Sequence, residues 1–112
     1  MLSKAAESRV REIIDMTAEE LCLKPEIVLS ACRLEQVVVA RHIAMILVKE
    51  SMPLNDESIG TCFNRTRSNV IKCRETMYRR IQDNHYVSGV YLRLKSLINK
   101  DPQELPPRGL KP

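Results

Sequence analysis

Tryptophan is absent from the sequence, phenylalanine occurs once and tyrosine three times. A core must therefore be built from Ile, Val, Leu, Met and Cys. Glycine is nearly as scarce, with only Gly60, Gly89 and Gly109, and no run alternates strongly between apolar and polar residues. Few turn glycines and no period-two pattern argue against a strand-rich fold and for an all-α one. No apolar run approaches the roughly 18 residues of a membrane span. The longest, Val37 to Val48, is interrupted by Arg41 and His42. The first apolar residues are broken by Lys4, Glu7, Arg9, Arg11 and Glu12, which is not the pattern of a signal peptide. The expectation is a soluble, cytoplasmic protein with no membrane partner.

The four cysteines, Cys22, Cys32, Cys62 and Cys73, contain no Cys-x-x-Cys pair. Each sits in an apolar helical context and reads as a small buried thiol in a reducing compartment. A zinc site built from them with His42 or His85 has no spacing in its favour, so no metal is expected. The two histidines stand alone and the acids are dispersed along amphipathic segments. No nucleophile–base pair and no glycine-rich phosphate loop is present. These absences argue against an enzyme and against a bound nucleotide or other cofactor.

What is there is one domain's worth of chain, 112 residues with 29% charged and 44% apolar, a composition that folds rather than stays disordered. The expected fold is a compact all-α domain of five to six helices over residues 1–100. A disordered tail is expected over 101–112, where Pro102, Pro106, Pro107 and Pro112 fall. The first helix is expected from about Ser3 to Leu21, on a stripe of Val10, Ile13, Ile14, Thr17 and Leu21. A short second helix starts at Pro25, where a missing N–H costs nothing, and ends near Ala31. After a connector at Cys32 to Gln36, whose end it overlaps, a third helix runs from about Leu34 to Ser51. It is apolar almost all round, which marks it as central, and Arg41, His42, Lys49 and Glu50 are expected to form its narrow exposed seam. Asn55 or Asp56 caps a fourth helix ending near Phe63. The last helix, about Val87 to Asn99, carries Val87, Val90, Tyr91, Leu94, Leu97 and Ile98 on one stripe, which either covers the core or forms a homodimer.

Between them, Ser58 to Arg80 has the pattern of a helix-turn-helix. Ile59, Cys62 and Phe63 belong to a short apolar helix, and Asn64-Arg65 is a tight polar turn. Thr66 is placed to cap a longer helix that runs to about Asp83. Val70, Cys73, Met77 and Ile81, at spacings of 3, 4 and 4, give that helix its core face. Arg67, Ser68, Lys72, Glu75 and Arg79 lie on the other. From Asn64 to Arg80 six basic residues and one acid leave a charge of +5, against +4 for the whole chain. The positive charge is thus concentrated on one candidate recognition helix, whose free N-terminal amides and dipole also favour anions. A phosphate backbone is the partner that suits such a field. A solvated cationic face is the plainer alternative.

Val39-Ala40-Arg41-His42-Ile43-Ala44-Met45-Ile46-Leu47, then Ser58-Ile59-Gly60 followed by Phe63, then Arg65 to Val70, resemble the C-terminal DNA-binding domain of the bacterial replication initiator DnaA. The likeness is to that family's Arg-Gln/His-Ile-Ala-Met helix, its Glu-Ile-Gly-x-x-Phe, and its Arg-Asp-His-Thr-Thr-Val signature with one residue fewer in the preceding turn. It extends over roughly Ile13 to Ile81. The resemblance implies a Trp-repressor-like helical domain with the recognition helix in the major groove of double-stranded DNA. The family's base-reading positions fall on Thr66, Arg67, Ser68 and Asn69. Its phosphate contacts from the third helix fall on Arg41, His42 and Lys49, and Lys72 stands where the family has a histidine. The expected base readers are thus Arg67, Ser68 and Asn69. The expected phosphate contacts are Arg41, His42, Lys49, Arg65, Thr66, Lys72 and Arg79. Two departures imply an altered target sequence. The Asp-His of the signature is replaced, and Glu35 stands where the family's loop sends an arginine into the minor groove. No Gly-x-x-x-x-Gly-Lys-Ser/Thr motif is present, so the family's ATPase is not expected within this chain. A protein-interaction module that kept the fold and lost groove reading is the alternative function, with the stripe of the last helix as its surface.

Overall fold

The computed structural model describes residues 2–99 and builds them into six helices with no strand among them. Helix α1, Lys4–Glu20, opens on Ser3, whose hydroxyl accepts from the Ala6 amide at 3.1 Å. It closes where Cys22 adopts a left-handed φ of 59°. The Cys22 amide then reaches the Glu19 carbonyl and the Leu23 amide the Ala18 carbonyl, at 3.1 and 2.8 Å. This crossed pair satisfies the last carbonyls of the helix without the usual glycine. Cys22 is exposed there, Cys32 and Cys62 are half-buried and Cys73 alone is buried. The expectation that all four thiols are buried is corrected at Cys22, because an ending helix, not a core face, holds it.

Helix α2, Pro25–Val28, begins on Pro25 as expected but stops short of Ala31. Ser30 is the cause, since its hydroxyl donates to the Ile27 carbonyl at 2.6 Å and accepts from the Cys32 amide at 3.1 Å, turning the chain. Helix α3, Glu35–Ser51, packs against every other helix, which is why it tolerates apolar residues on all sides. It opens at Glu35, one residue from the expected start, and Glu35 and Gln36 form its first turn. Glu50 is exposed and Lys49 half-buried, but Arg41 is 5% exposed, so the expected polar seam does not include it.

Helix α4, Asp56–Phe63, is capped by Asn55, whose side chain accepts from the Ser58 amide at 2.8 Å. Helix α5, Arg67–Asp83, and helix α6, His85–Asn99, are separated by Asn84 alone. Its extended backbone, φ −125° and ψ 115°, breaks the spiral, and its side-chain oxygen accepts from the Val87 amide at 3.0 Å to start the next one. Helix α6 therefore begins two residues before Val87. Its stripe of Val87, Val90, Tyr91, Leu94 and Ile98 is buried on the core, with Leu97 half-buried. The stripe closes the domain, while Tyr86 and Leu92 of the same helix remain exposed.

One core cluster joins all six helices, with Ile13, Val28, Ile43, Ile46, Phe63, Met77 and Leu94 fully enclosed. Each such side chain contributes about 1.5–3 kcal/mol of transfer free energy. At the edge of the core, Glu50 of α3 accepts from the hydroxyls of Tyr78 on α5 and Tyr91 on α6, at 2.9 and 2.7 Å. Burial, and then the Glu50 contact, pushes the Tyr78 phenol up to about 12. These bonds fix α5 and α6 on the central helix. None of the helices is long and apolar enough to cross a membrane. The tail expected from Asp101 onward lies outside the described residues.

Candidate nucleic-acid interface

The turn between α4 and α5 is built by three residues. Asn64 takes φ 58° and ψ 44°, a left-handed conformation that asparagine tolerates better than most. The Arg65 amide then folds back onto the Gly60 carbonyl at 2.8 Å. A Cβ at Gly60 would stand 2.4 Å from the Arg65 carbonyl oxygen, so glycine is what lets the turn close on α4. Thr66 caps α5 as expected, accepting from the Asn69 amide at 3.1 Å.

From that cap, Val70, Cys73 and Met77 turn inward, while Arg67, Ser68, Lys72, Glu75 and Arg79 are exposed. The three candidate base readers sit together on the first turn. Asn69 is half-buried, and its side-chain oxygen accepts from the Cys73 thiol at 3.4 Å, which leaves its amide NH2 pointing to no protein acceptor among the described residues.

The basic residues of the segment divide into three kinds. Arg74 is bidentate on Asp56, at 2.5 and 3.2 Å, and Arg80 is paired with Glu35. The Arg74 bond, more than its charge, holds the Asp56 carboxyl below the ordinary carboxylate range. Lys49, expected on phosphate, leans on the same Asp56 at 3.6 Å and donates to the Leu54 carbonyl at 3.4 Å.

Arg41 and Arg65 are held by backbone. Arg41 Nε donates to the Val28 carbonyl at 2.9 Å, and one terminal nitrogen donates to Ser30 and Cys32 at 2.7 and 2.9 Å. Arg65 donates to Phe63 and Asn64, both at 3.1 Å, and to the same Ser30 carbonyl at 3.0 Å. Burial, then the neighbouring Arg65, lowers the Arg41 pKa. An exposed guanidinium ready for phosphate was the expectation for Arg41. The structure turns it inward because the loop after α2 brings three carbonyls to it.

His42 lies beside these groups, and its buried Nδ1 has no hydrogen-bond partner. Burial first, and then the Arg41, Arg80 and Arg65 charges, lower its pKa to about 4. At neutral pH it therefore carries no charge toward a phosphate.

The third kind is free. Arg67, Lys72 and Arg79 make no ion pair among the described residues, and neither does exposed Arg33 in the loop before α3. Sequence reasoning counted six cations between Asn64 and Arg80 alike. The acids that pair two of them, Asp56 and Glu35, come from other helices, and only the fold brings them in. The same reasoning placed Arg33 in the connector and assigned it nothing, although it is the loop's basic residue.

Among the described residues no group of three or more His, Cys, Asp and Glu side chains gathers to hold a metal ion. The arrangement is thus a capped helix with a cationic solvent face, and a braced loop with a cation of its own. No curated protein matches the sequence. The family model of the bacterial dnaA protein helix-turn-helix matches residues 10–76, which runs from within α1 into α5 and includes the turn, the cap and the free cations Arg67 and Lys72. The chain belongs to the bacterial DnaA helix-turn-helix family.

Proposed function

We propose that this domain binds double-stranded DNA in a sequence-specific way, with α5 in the major groove, as a replication or regulatory factor whose target departs from the standard initiator box. The role is one of binding rather than catalysis, in the cytoplasm with the nucleoid. The observation that carries the reading is the segregation of charge on α5. Arg74 and Arg80 are neutralised by protein carboxylates, while Arg67, Lys72 and Arg79 face solvent without partners among the described residues.

The roles follow from position. Lys72 and Arg79, further along the exposed face, neutralise phosphates, and Thr66 and Lys49 add polar contacts at the edges. Arg67, Ser68 and Asn69 on the first turn of α5 read base edges. Arg67 suits guanine O6 and N7, and Asn69 suits adenine N6 and N7. His42, neutral at pH 7, serves as a hydrogen-bonding neighbour and not as a charge. The altered target rests on Glu35, which stands where the family's loop carries its minor-groove arginine and pairs with Arg80 at the side of α5, so that this pair offers no free cation to a narrow groove of negative potential. The stripe of α6 on which the protein-interaction reading relied is buried on the core, which favours the DNA-binding reading. Selection of bound duplexes from a random pool, repeated with Arg67→Ala, tests the assignment. The preference at one base pair should relax by about 1–3 kcal/mol. An unchanged consensus would overturn the role of Arg67.

A further inference from the structure

Of the three residues on the first turn of α5, Asn69 alone has its side chain held by another residue among those described. Arg67 and Ser68 stand exposed beside it. The Asn69 backbone amide donates to Thr66 Oγ1 at 3.1 Å, and one turn further on the Cys73 thiol donates to its side-chain oxygen at 3.4 Å. Cys73 is 8% exposed and shares the core face of α5 with Val70 and Met77. Its sulfur is thus rooted in the core and reaches a half-buried carboxamide at the edge of the solvent face. Burial pushes the Cys73 thiol up, against the charges of Arg65, Arg41 and Lys72, so at neutral pH it keeps the proton that it donates. A carboxamide that nothing holds turns over readily, because its terminal torsion is broad and nearly two-fold. The two orientations offer a base edge opposite orders of donor and acceptor, and adenine N6 and N7 match one of them. The Asn69 oxygen has two lone pairs. The thiol takes one, which leaves the other for adenine N6 and the NH2 for N7.

We propose that Cys73 is a positioning residue that touches no DNA itself, and that its thiol holds the Asn69 carboxamide in one orientation and so sharpens the preference for adenine at the base pair Asn69 reads. This rests on the DNA-binding reading above and adds to it. The four-residue spacing places the two side chains one above the other on α5, so a residue of the core face reaches one of the reading face. A thiol is a weak donor, and the bond carries no charge. Its effect therefore falls on the choice of base and leaves the electrostatic part of binding untouched.

The test is a set of titrations of the whole chain, over a range of salt, against the duplex the wild type selects and against duplexes altered at single base pairs. The variants are Asn69→Ala, Cys73→Ala, Cys73→Ser and the two alanine substitutions together. Asn69→Ala marks the pair that Asn69 reads, where the preference should relax by about tenfold. Cys73→Ala should relax the preference at that same pair by about threefold. It should leave the preference set by Arg67 and the salt slope as they are, and change nothing once Asn69 is already alanine. Cys73→Ser keeps a donor and should keep most of the preference. Wild-type preference in Cys73→Ala, equal losses in Cys73→Ala and Cys73→Ser, or a further loss in the combined variant would assign Cys73 to packing alone and overturn the proposal. An Asn69→Ala protein with no relaxed base pair would overturn it too, while duplex binding itself would stand. Wild-type protein that binds no duplex at low salt would remove the DNA-binding reading and this proposal with it, a result distinct from the others because it precedes any substitution.

Discussion

Gly60 sits inside α4, where an alanine would ordinarily gain about 1 kcal/mol of helix propensity. Here the sign reverses. The added methyl would meet the Arg65 carbonyl oxygen at 2.4 Å, and that atom is backbone and cannot swing away. Gly60→Ala should therefore destabilise the domain by about 2 kcal/mol net, read as a lower thermal midpoint. A midpoint at or above the wild type would show that the turn does not close on α4 as described. His42 makes a second residue-scale case. Its pKa falls from 6.5 to about 4 on folding, so the unfolded chain binds the proton more tightly. Its contribution to stability is whole above pH 6.5 and is lost as pH falls through the interval down to about 4. Asp56, also depressed, loses its contribution only below 3.8, so the two windows are separate. His42→Gln should flatten the fall in melting temperature between pH 6.5 and 4, and a curve parallel to the wild type would contradict the assignment.

At the scale of elements, α5 depends on its cap. Thr66 satisfies the Asn69 amide, and Thr66→Ala should cost about 1 kcal/mol by thermal or chemical denaturation. Thr66→Ser should recover most of that loss, whereas equal losses for both variants would place the effect outside the cap. This cap was legible in the sequence, as was Asn55, one of two candidates for α4, because capping is a local event in which a side chain reaches an amide three residues on. The spacing of Val70, Cys73 and Met77 was legible for the same reason. Long-range pairing was not. Nothing in the order of residues tells that Asp56 finds Arg74 or that Glu35 finds Arg80, since 18 and 45 residues separate the partners. The stripe of α6 was visible but its destination was open until its packing on the core decided it. The start of α3 was read to within one residue, although Leu34 before it supplies no side-chain cap.

Across the whole molecule, the +4 net charge says less than its distribution. The sequence located the positive field on one segment, and folding then sorted that field. Arg74 and Arg80 are neutralised by carboxylates, Arg65 is turned onto backbone carbonyls, and Arg67, Lys72 and Arg79 are left toward solvent. On the proposed DNA-binding reading, only the last group would release counterions when a phosphate arrives, so that a count of basic residues overstates the electrostatic reach of the helix. The most direct measurement is the salt dependence of binding to a fluorescent duplex, followed by anisotropy, for the wild type, Lys72→Ala, Arg79→Ala and the double variant. The account predicts measurable, salt-sensitive binding by the wild type. It predicts a slope of log K against log salt that falls in magnitude by about 0.9 for each substitution and about 1.8 for both. An unchanged slope in the double variant, or no binding by the wild type at low salt, would contradict it.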